Sequence, residues 1–257
     1  MNIFQGLGNT CFKASQAFGQ WVFFVGRALF SVVRPPIYWR QWGKQFFHIA
    51  FLSAPVVGLT AIFTGMVLAL QSYTGFSRFS AESSIATVVV LSIVRELGPV
   101  LTGLMVAGRV GASIAAELGS MRVSDQISAL WTMGVSATNY LIVPRLVALV
   151  VGMPLLVLCA DAIGVFGGWC IARFVLGFNW ILYTRETFEF LRIDDVMSGL
   201  IKAAVFGLMI ASISCYQGYY ARGGAQGVGE ATTRAVVLSS ITVLLMNYVL
   251  TSLLFVR

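Results

Sequence analysis

Five long apolar runs dominate the chain and restrict the folds open to it. They cover residues 50–72, 84–110, 141–172, 197–218 and 235–256. Each is long enough to cross the hydrocarbon core of a bilayer, which takes about 20 apolar residues in a helix. Because lipid cannot satisfy backbone hydrogen bonds, single spans of this kind are helical. The runs therefore predict an all-α integral membrane protein with five transmembrane helices.

Composition argues against several other classes of protein. Hydrophobic residues make up 58% of the chain and charged residues 11%, whereas soluble domains carry about 25% charged residues. The net charge of +7 comes from basic residues that flank the apolar runs, which favours membrane orientation over nucleic-acid binding. The chain has one histidine, His48, and four cysteines without metal-ligand spacing. We therefore expect no catalytic residues, no metal site and no cofactor bound by this chain.

Residues 1–48 are predicted to form an interfacial region, and residues 49–257 the five-span domain. Apolar side chains from Phe4 to Val32 recur at three- and four-residue spacing, with basic residues as the only charges between them. This pattern is typical of an amphipathic helix lying in the membrane interface. The alternative is a helix packed on another protein surface. Pro35 and Pro36 are expected to end the helix.

Lysine and arginine in the connections predict the orientation of the chain. Ten of them fall on the side of the N-terminus and five on the opposite side. Cytoplasmic loops carry the excess of basic residues. The sequence therefore predicts a cytoplasmic N-terminus, a C-terminus on the opposite side, a cytoplasmic 111–140 connection and an external 173–196 connection.

The second apolar run contains an adjacent pair of opposite charges, Arg95 and Glu96. They lie about 17 Å along the span, near the bilayer midplane. Consecutive helix residues point about 100° apart, so each charge needs a partner from outside its own helix. Gly98-Pro99 follows, and Pro99 cannot donate to the carbonyl of Arg95. Two interpretations stay open, a cavity lined by charge and a structural ion pair between helices.

Two further charges lie inside apolar runs, Asp161 in the third and Lys202 in the fourth. We expect them either to contact each other or to contribute to a polar lining, with a structural role favoured. The small residues Gly111, Ala115 and Gly119 repeat every four positions, which predicts close packing against another helix.

Residues 117–130 form a polar, amphipathic segment between the second and third runs. Apolar residues at 118, 121, 123, 127 and 130 alternate with charges at 117, 122 and 125. A short exposed helix of this kind is a natural docking element for a soluble partner. The alternative is an ordinary interfacial connector.

The run from Leu91 to Leu130, LSIVRELGPVLTGLMVAGRVGASIAAELGSMRVSDQISAL, resembles the MlaE/YrbE permease family. FTGMVLALQ at 63–71, SAES at 80–83 and GEATTRAVVLSS at 229–240 are similar to it as well. The resemblance covers the chain from about residue 45. It implies the membrane subunit of a bacterial ABC transporter that moves phospholipids between inner and outer membranes and maintains lipid asymmetry.

The resemblance also implies partners and site residues. The partners are a second copy of the chain, a cytoplasmic ABC ATPase that uses ATP and Mg²⁺, a periplasmic MCE-domain ring and a small STAS-type cytoplasmic subunit. The expected location is the bacterial inner membrane, with the C-terminus in the periplasm. The positions that match the lipid-cavity lining are Leu68, Gly75, Phe76, Phe79, Arg95, Glu96 and Leu97. The positions that match the ATPase-coupling helix are Glu117, Leu118, Gly119, Met121, Arg122, Asp125 and Gln126.

Two alternatives from other functional classes remain. One is a membrane scaffold that recruits an ATPase without transporting lipid. The other is an intramembrane enzyme that modifies lipid, which the single histidine and the absence of GxSxG and HExxH disfavour.

Overall fold

A computed structural model describes residues 3–33, 38–77 and 84–255. Among these residues there is no β-strand, and five helices are long and apolar enough to cross a membrane. The prediction of an all-α protein with five spans is confirmed. The order of the helices is α1 Ile3–Val33, α2 Trp39–Phe76, α3 Ser84–Val123, α4 Gln126–Thr132, α5 Thr138–Phe174, α6 Trp180–Phe190, α7 Ile193–Tyr219 and α8 Gly224–Phe255.

The spanning helices α2, α3, α5, α7 and α8 extend beyond the predicted apolar runs. The first begins at Trp39, about three turns before the run at residue 50, because the polar stretch before that run continues the same helix. The fifth begins at Gly224, ahead of the predicted start at residue 235. Hydropathy marks the part of a helix that lies in lipid, whereas the backbone continues into the interface.

The central bundle is formed by α3, α5 and α7, which are the most buried of the spans. Small residues allow their backbones to approach. A side chain on Gly207 of α7 would meet the Leu149 carbonyl oxygen at 2.5 Å, and one on Gly218 would meet the Ala115 carbonyl oxygen at 2.7 Å. The predicted repeat of small residues in α3 therefore does face other helices: Gly111 and Ala115 face α7, and Gly119 faces Val228 of α8.

Helix α1 lies against the ends of the bundle. Phe24 packs with the rings of Tyr216, Tyr219 and Tyr220, at centroid distances of 5.6 to 6.1 Å. Phe12, Phe23 and Phe30 are exposed. One face of α1 therefore contacts the chain and another is available to lipid, as expected for an interfacial helix. The prolines predicted to end α1 fall outside the described residues.

Segment 117–130 differs from the single helix predicted for it. Helix α3 continues to Val123, and a turn at Ser124 and Asp125 separates it from α4. Asp125 has a left-handed backbone with φ of 56°. That conformation is uncommon for a residue with a side chain, although aspartate adopts it more readily than most. The first half of the predicted docking segment is thus the end of the second span, and its second half is the short helix α4 beyond the turn.

Candidate functional site

Two ion pairs connect α3 to α7 within the bundle. The Arg95 guanidinium lies 2.6 and 2.8 Å from Oδ1 of Asp195, through Nη2 and Nε. The Lys202 ammonium lies 2.7 Å from Oε1 of Glu96. In each pair the α7 partner is almost fully buried, while the α3 side chain keeps about a third of its surface exposed. The prediction that each α3 charge needs a partner from outside its own helix is confirmed.

Lys202 also completes the hydrogen bonding of the α3 backbone. Over Ile93–Leu97 the helix widens, and the Gly98 N–H donates to the Ile93 carbonyl five residues back. Pro99 has no N–H to give to the Arg95 carbonyl. Lys202 Nζ donates to that carbonyl oxygen at 2.9 Å. Widened turns of this kind occur often at functional sites, and here the turn places the Arg95 carbonyl beside a buried cation.

Helix α8 completes the polar network around Glu96. Asn247 Nδ2 donates to Glu96 Oε2 at 2.8 Å, and the Thr251 hydroxyl lies 3.0 Å from Oε1. The same hydroxyl accepts from Lys202 Nζ at 2.9 Å. Asn247 and Thr251 were not identified from the sequence. Their signal was a pair of polar residues four positions apart in an apolar run, which places both on one face of a helix.

Of the two alternatives predicted for Asp161 and Lys202, a direct contact or a polar lining, the direct contact is wrong. Lys202 is bound to Glu96 and Thr251, whereas Asp161 packs against Gly98, where an added side chain would collide with its Oδ1. Among the described residues that oxygen has no hydrogen-bond partner. Asp161 and Lys202 lie at similar depths in their spans. The rotation of each helix about its axis makes the two side chains face different neighbours.

Asp161 lines a largely apolar cavity of about 630 Å³ that the sequence did not indicate. It lies between α3, α5 and the short helix α6. Its other polar groups come from α6, namely Tyr183, Thr184 and Thr187. Burial raises the pKa of Tyr183 to about 12. A cavity of this size therefore lies on the α5–α6 side of the bundle.

The predicted lipid-lining residues are distributed over more than one surface. Leu68 and Leu97 line an open cavity of about 320 Å³ between α2 and α3, together with Phe63, Thr64, Val67 and Gln71. Phe76 instead packs against the buried cluster of Ala69, Ile85, Val89 and Ile93. Gly75 is exposed, with open space around it, and Phe79 lies outside the described residues. The structure thus brings Leu68 and Leu97 together beside the charged pair.

The predicted coupling residues also divide into two groups. Leu118 is fully buried, and Gly119 is buried against Val228 and Ala221, so both face the chain's own core. The Glu117 carboxylate is held by Arg145 at 2.8 Å. The remaining members lie nearer the surface: Met121 and Arg122 are half-buried, with Arg122 5.9 Å above the ring of Tyr219, and Asp125 and Gln126 are exposed. The surface open to a partner is therefore centred on the turn at Asp125.

Known proteins are similar to this chain along nearly its whole length. Residues 42–253 match the family described as Permease MlaE. A probable ABC transporter permease protein of Rickettsia bellii (strain RML369-C) is 54% identical over 99% of this chain and 98% of its own. TRIGALACTOSYLDIACYLGLYCEROL 1, chloroplastic, of Arabidopsis thaliana is 36% identical over 90% of this chain and 66% of its own. The intermembrane phospholipid transport system permease protein MlaE of Haemophilus influenzae is 33% identical over 99% of this chain and 98% of its own.

Proposed function

This chain belongs to the MlaE permease family of ABC transporter permeases, and from that premise we propose that it moves phospholipids between the inner and outer membranes of a bacterium. The name of the Haemophilus influenzae relative supports the substrate class. The observation that carries the proposal is the arrangement on α3. One helix holds the half-exposed Arg95 and Glu96 beside the cavity of Leu68 and Leu97, and ends at the exposed turn of Asp125.

We propose that the acyl chains of the lipid occupy the cavity between α2 and α3. Four of its six lining residues, Phe63, Val67, Leu68 and Leu97, are apolar and suit hydrocarbon. Arg95 lies in the same turn of α3 as Leu97, and its side chain keeps about a third of its surface exposed. In this proposal it attracts the phosphate of the head group, a geometry that guanidinium groups match well.

ATP hydrolysis is assigned to a separate ATPase, docked at the Asp125 turn. Helix α3 continues from Leu97 to Glu117, about 30 Å at 1.5 Å per residue, with one widened turn at Ala107–Gly111. Gly111 and Ala115 pack it tightly against α7, so a push at the turn moves α3 and α7 together. In the proposed cycle, closure of the ATPase dimer narrows the cavity and displaces the lipid.

A homodimer, a periplasmic MCE-domain ring and a small STAS-type subunit complete the proposed assembly. The spans α2 and α8 are the ones that the rest of the chain covers least. Large apolar side chains are exposed along both, including Leu59, Phe63, Val67, Leu70, Leu238, Ile241, Leu244, Leu245 and Tyr248. Such surfaces require lipid or another span as a neighbour, and a second copy meeting at α2 and α8 would enclose the cavity.

Transfer of labelled phospholipid between donor and acceptor vesicles tests the proposal with the reconstituted complex. We expect Arg95→Ala to lower transfer, because the guanidinium that meets the head group is lost. Asp195→Asn is the matched control, since it breaks the same ion pair but keeps the guanidinium, and its effect should be smaller. Equal transfer by wild type and both variants would remove Arg95 from the lipid path.

The same reconstitution separates the alternatives. A scaffold would bind the ATPase and transfer no lipid in the wild-type complex. A lipid-modifying enzyme would change the chemical structure of the lipid with the purified chain alone. The transporter requires the ATPase and ATP, and returns the lipid chemically unchanged.

A further inference from the structure

A separate cavity of about 430 Å³ lies at the membrane edge between α1, the α4–α5 connection and the end of α7. Its lining differs from that of the two other large cavities, because it carries two arginines. Arg27 comes from α1 and Arg222 from the connection between α7 and α8. Elements distant in sequence therefore bring two positive charges to one concave surface.

Within the described part of the chain, neither guanidinium group has an ion-pair or side-chain hydrogen-bond partner. Arg95, Arg145, Arg185 and Arg234 each form an ion pair with a described carboxylate. Arg27 and Arg222 form neither an ion pair nor a side-chain hydrogen bond with any other described residue. Two unpaired guanidinium groups at one cavity favour an anionic ligand, and their planar donors match phosphate oxygens in pairs.

Aromatic residues complete the lining and indicate where the ligand comes from. Trp131, Tyr219 and Tyr220 border the cavity, and Tyr220 and Trp131 are each about half exposed. Tryptophan and tyrosine concentrate at the head-group level of a membrane. The connections after α3 and after α7 emerge at the same face of a five-span bundle, the face on which α1 lies. Basic pockets between spans at this level bind anionic lipid head groups.

We infer that this cavity binds the phosphate head group of an anionic phospholipid from the leaflet on the α1 side. The site is separate from the cavity of Leu68 and Leu97, and the lipid bound there is a resident ligand of the permease. Arg122 lies over the ring of Tyr219, which borders the site. Trp131 belongs to α4, the helix that begins directly after the Asp125 turn. A bound head group would therefore connect α1 to residues before and after the Asp125 turn of the predicted coupling segment.

The experiment compares lipid retention by the full-length permease in nanodiscs of phosphatidylcholine with a small fraction of phosphatidylglycerol. Native mass spectrometry of the released protein measures the phosphatidylglycerol that stays bound. The test variant is R27Q/R222Q. The matched control is R185Q/R234Q, which removes the same charge from two exposed arginines outside the cavity. Loss of charge-assisted hydrogen bonds should weaken retention about tenfold in the test variant and leave the control unchanged.

Equal retention by both double variants would overturn the inference. A soluble-anion arm distinguishes the source of the phosphate, with inorganic phosphate and glycerol phosphate added in place of the lipid. If either one stabilises the wild type against heating as much as phosphatidylglycerol does, the site takes a free anion and the lipid assignment is wrong. Neither measurement involves ATP or transport, so failure here leaves the proposed function untouched.

Discussion

At the scale of single residues, Lys202 is the centre of the polar network between α3, α7 and α8. Its ammonium group meets the Glu96 carboxylate, the Thr251 hydroxyl and the Arg95 carbonyl, and the side chain is fully buried. The Arg95 carbonyl needs this donor because Pro99 cannot supply one. A proline that would otherwise leave an unsatisfied carbonyl in the bilayer is therefore compensated by a lysine from another helix.

Removal of Lys202 should destabilise the protein more than removal of the whole pair. Lys202→Met leaves Glu96 and the Arg95 carbonyl without their cation, and we expect a cost of about 3 kcal/mol. Glu96→Gln in the same chain should recover part of that loss. Thermal unfolding in detergent of the two single variants and the double variant measures the coupling between the sites. Strictly additive effects would show that the two side chains do not act as a pair.

At the scale of helices, glycine contacts set the rotation and spacing that the charges require. A side chain on Gly65 of α2 would overlap the backbone carbonyl of Gly164 in α5. A side chain on Gly167 would meet the Ile62 carbonyl oxygen at 2.5 Å. Backbone atoms cannot move aside as a flexible side chain does, so α2 and α5 keep one relative position.

Gly65→Ala and Gly75→Ala form a matched pair on α2 that tests this packing. We expect Gly65→Ala to lower the free energy of unfolding by about 1–3 kcal/mol, the usual cost of overpacking. Gly75 has nothing within 4 Å of an added side chain, so Gly75→Ala should leave stability unchanged or slightly raised. The midpoint of thermal unfolding reports both. A normal midpoint for Gly65→Ala would contradict the close contact with α5.

The turn after α3 allows the side chain of Asp125 to be tested separately from its backbone. Asparagine tolerates the left-handed conformation as aspartate does, so Asp125→Asn keeps the turn and removes the charge. If the carboxylate docks the ATPase, this variant should lower lipid-stimulated ATP hydrolysis without changing the unfolding midpoint. Asp194→Asn, at an exposed position near the start of α7, is the control. Normal coupling in Asp125→Asn would count against Asp125 as a docking group.

At the scale of the whole molecule, the side of the membrane on which each connection lies follows from an odd number of spans. With five spans the two termini lie on opposite sides, and the excess of basic residues predicts that α1 is cytoplasmic. The acidic residues near α6, Glu186 and Glu189, then lie outside. Burial, together with the neighbouring Glu189, raises the pKa of Glu186 above its usual value.

Labelling of single cysteines in intact cells tests this orientation. In a chain whose native cysteines are replaced by alanine, Glu189→Cys should react with a membrane-impermeant maleimide. Gln226→Cys should react only after the cells are opened, because it lies at the start of α8 on the predicted cytoplasmic side. Both positions are exposed, so both should react in detergent. Reaction of Gln226→Cys in intact cells, with Glu189→Cys protected, would show that the chain has the opposite orientation.

Prediction from the sequence succeeded where the signal is local. The need of Arg95 and Glu96 for partners on other helices follows from their adjacency and depth. The loss of the backbone donor to the Arg95 carbonyl follows from the presence of Pro99 four residues later. Prediction failed where the answer depends on another helix. The similar depth of Asp161 and Lys202 does not show which helix each of them faces, so depth does not separate a direct contact from a polar lining. The polar residues Asn247 and Thr251 likewise do not reveal from the sequence which neighbour they face.

The sequence by itself determined the class of the protein, its five spans and the family to which it belongs. Hydropathy decides the class and the spans because a helix satisfies its own backbone in lipid and needs no information from elsewhere in the chain. The family follows from the resemblance of the motifs, above all the run from Leu91 to Leu130. Only the tertiary structure decided that Glu96 meets Lys202 while Asp161 meets Gly98. Pairing of side chains within a few ångströms depends on the rotation and depth of every helix, and these come from backbone contacts at glycines such as Gly65, Gly207 and Gly218.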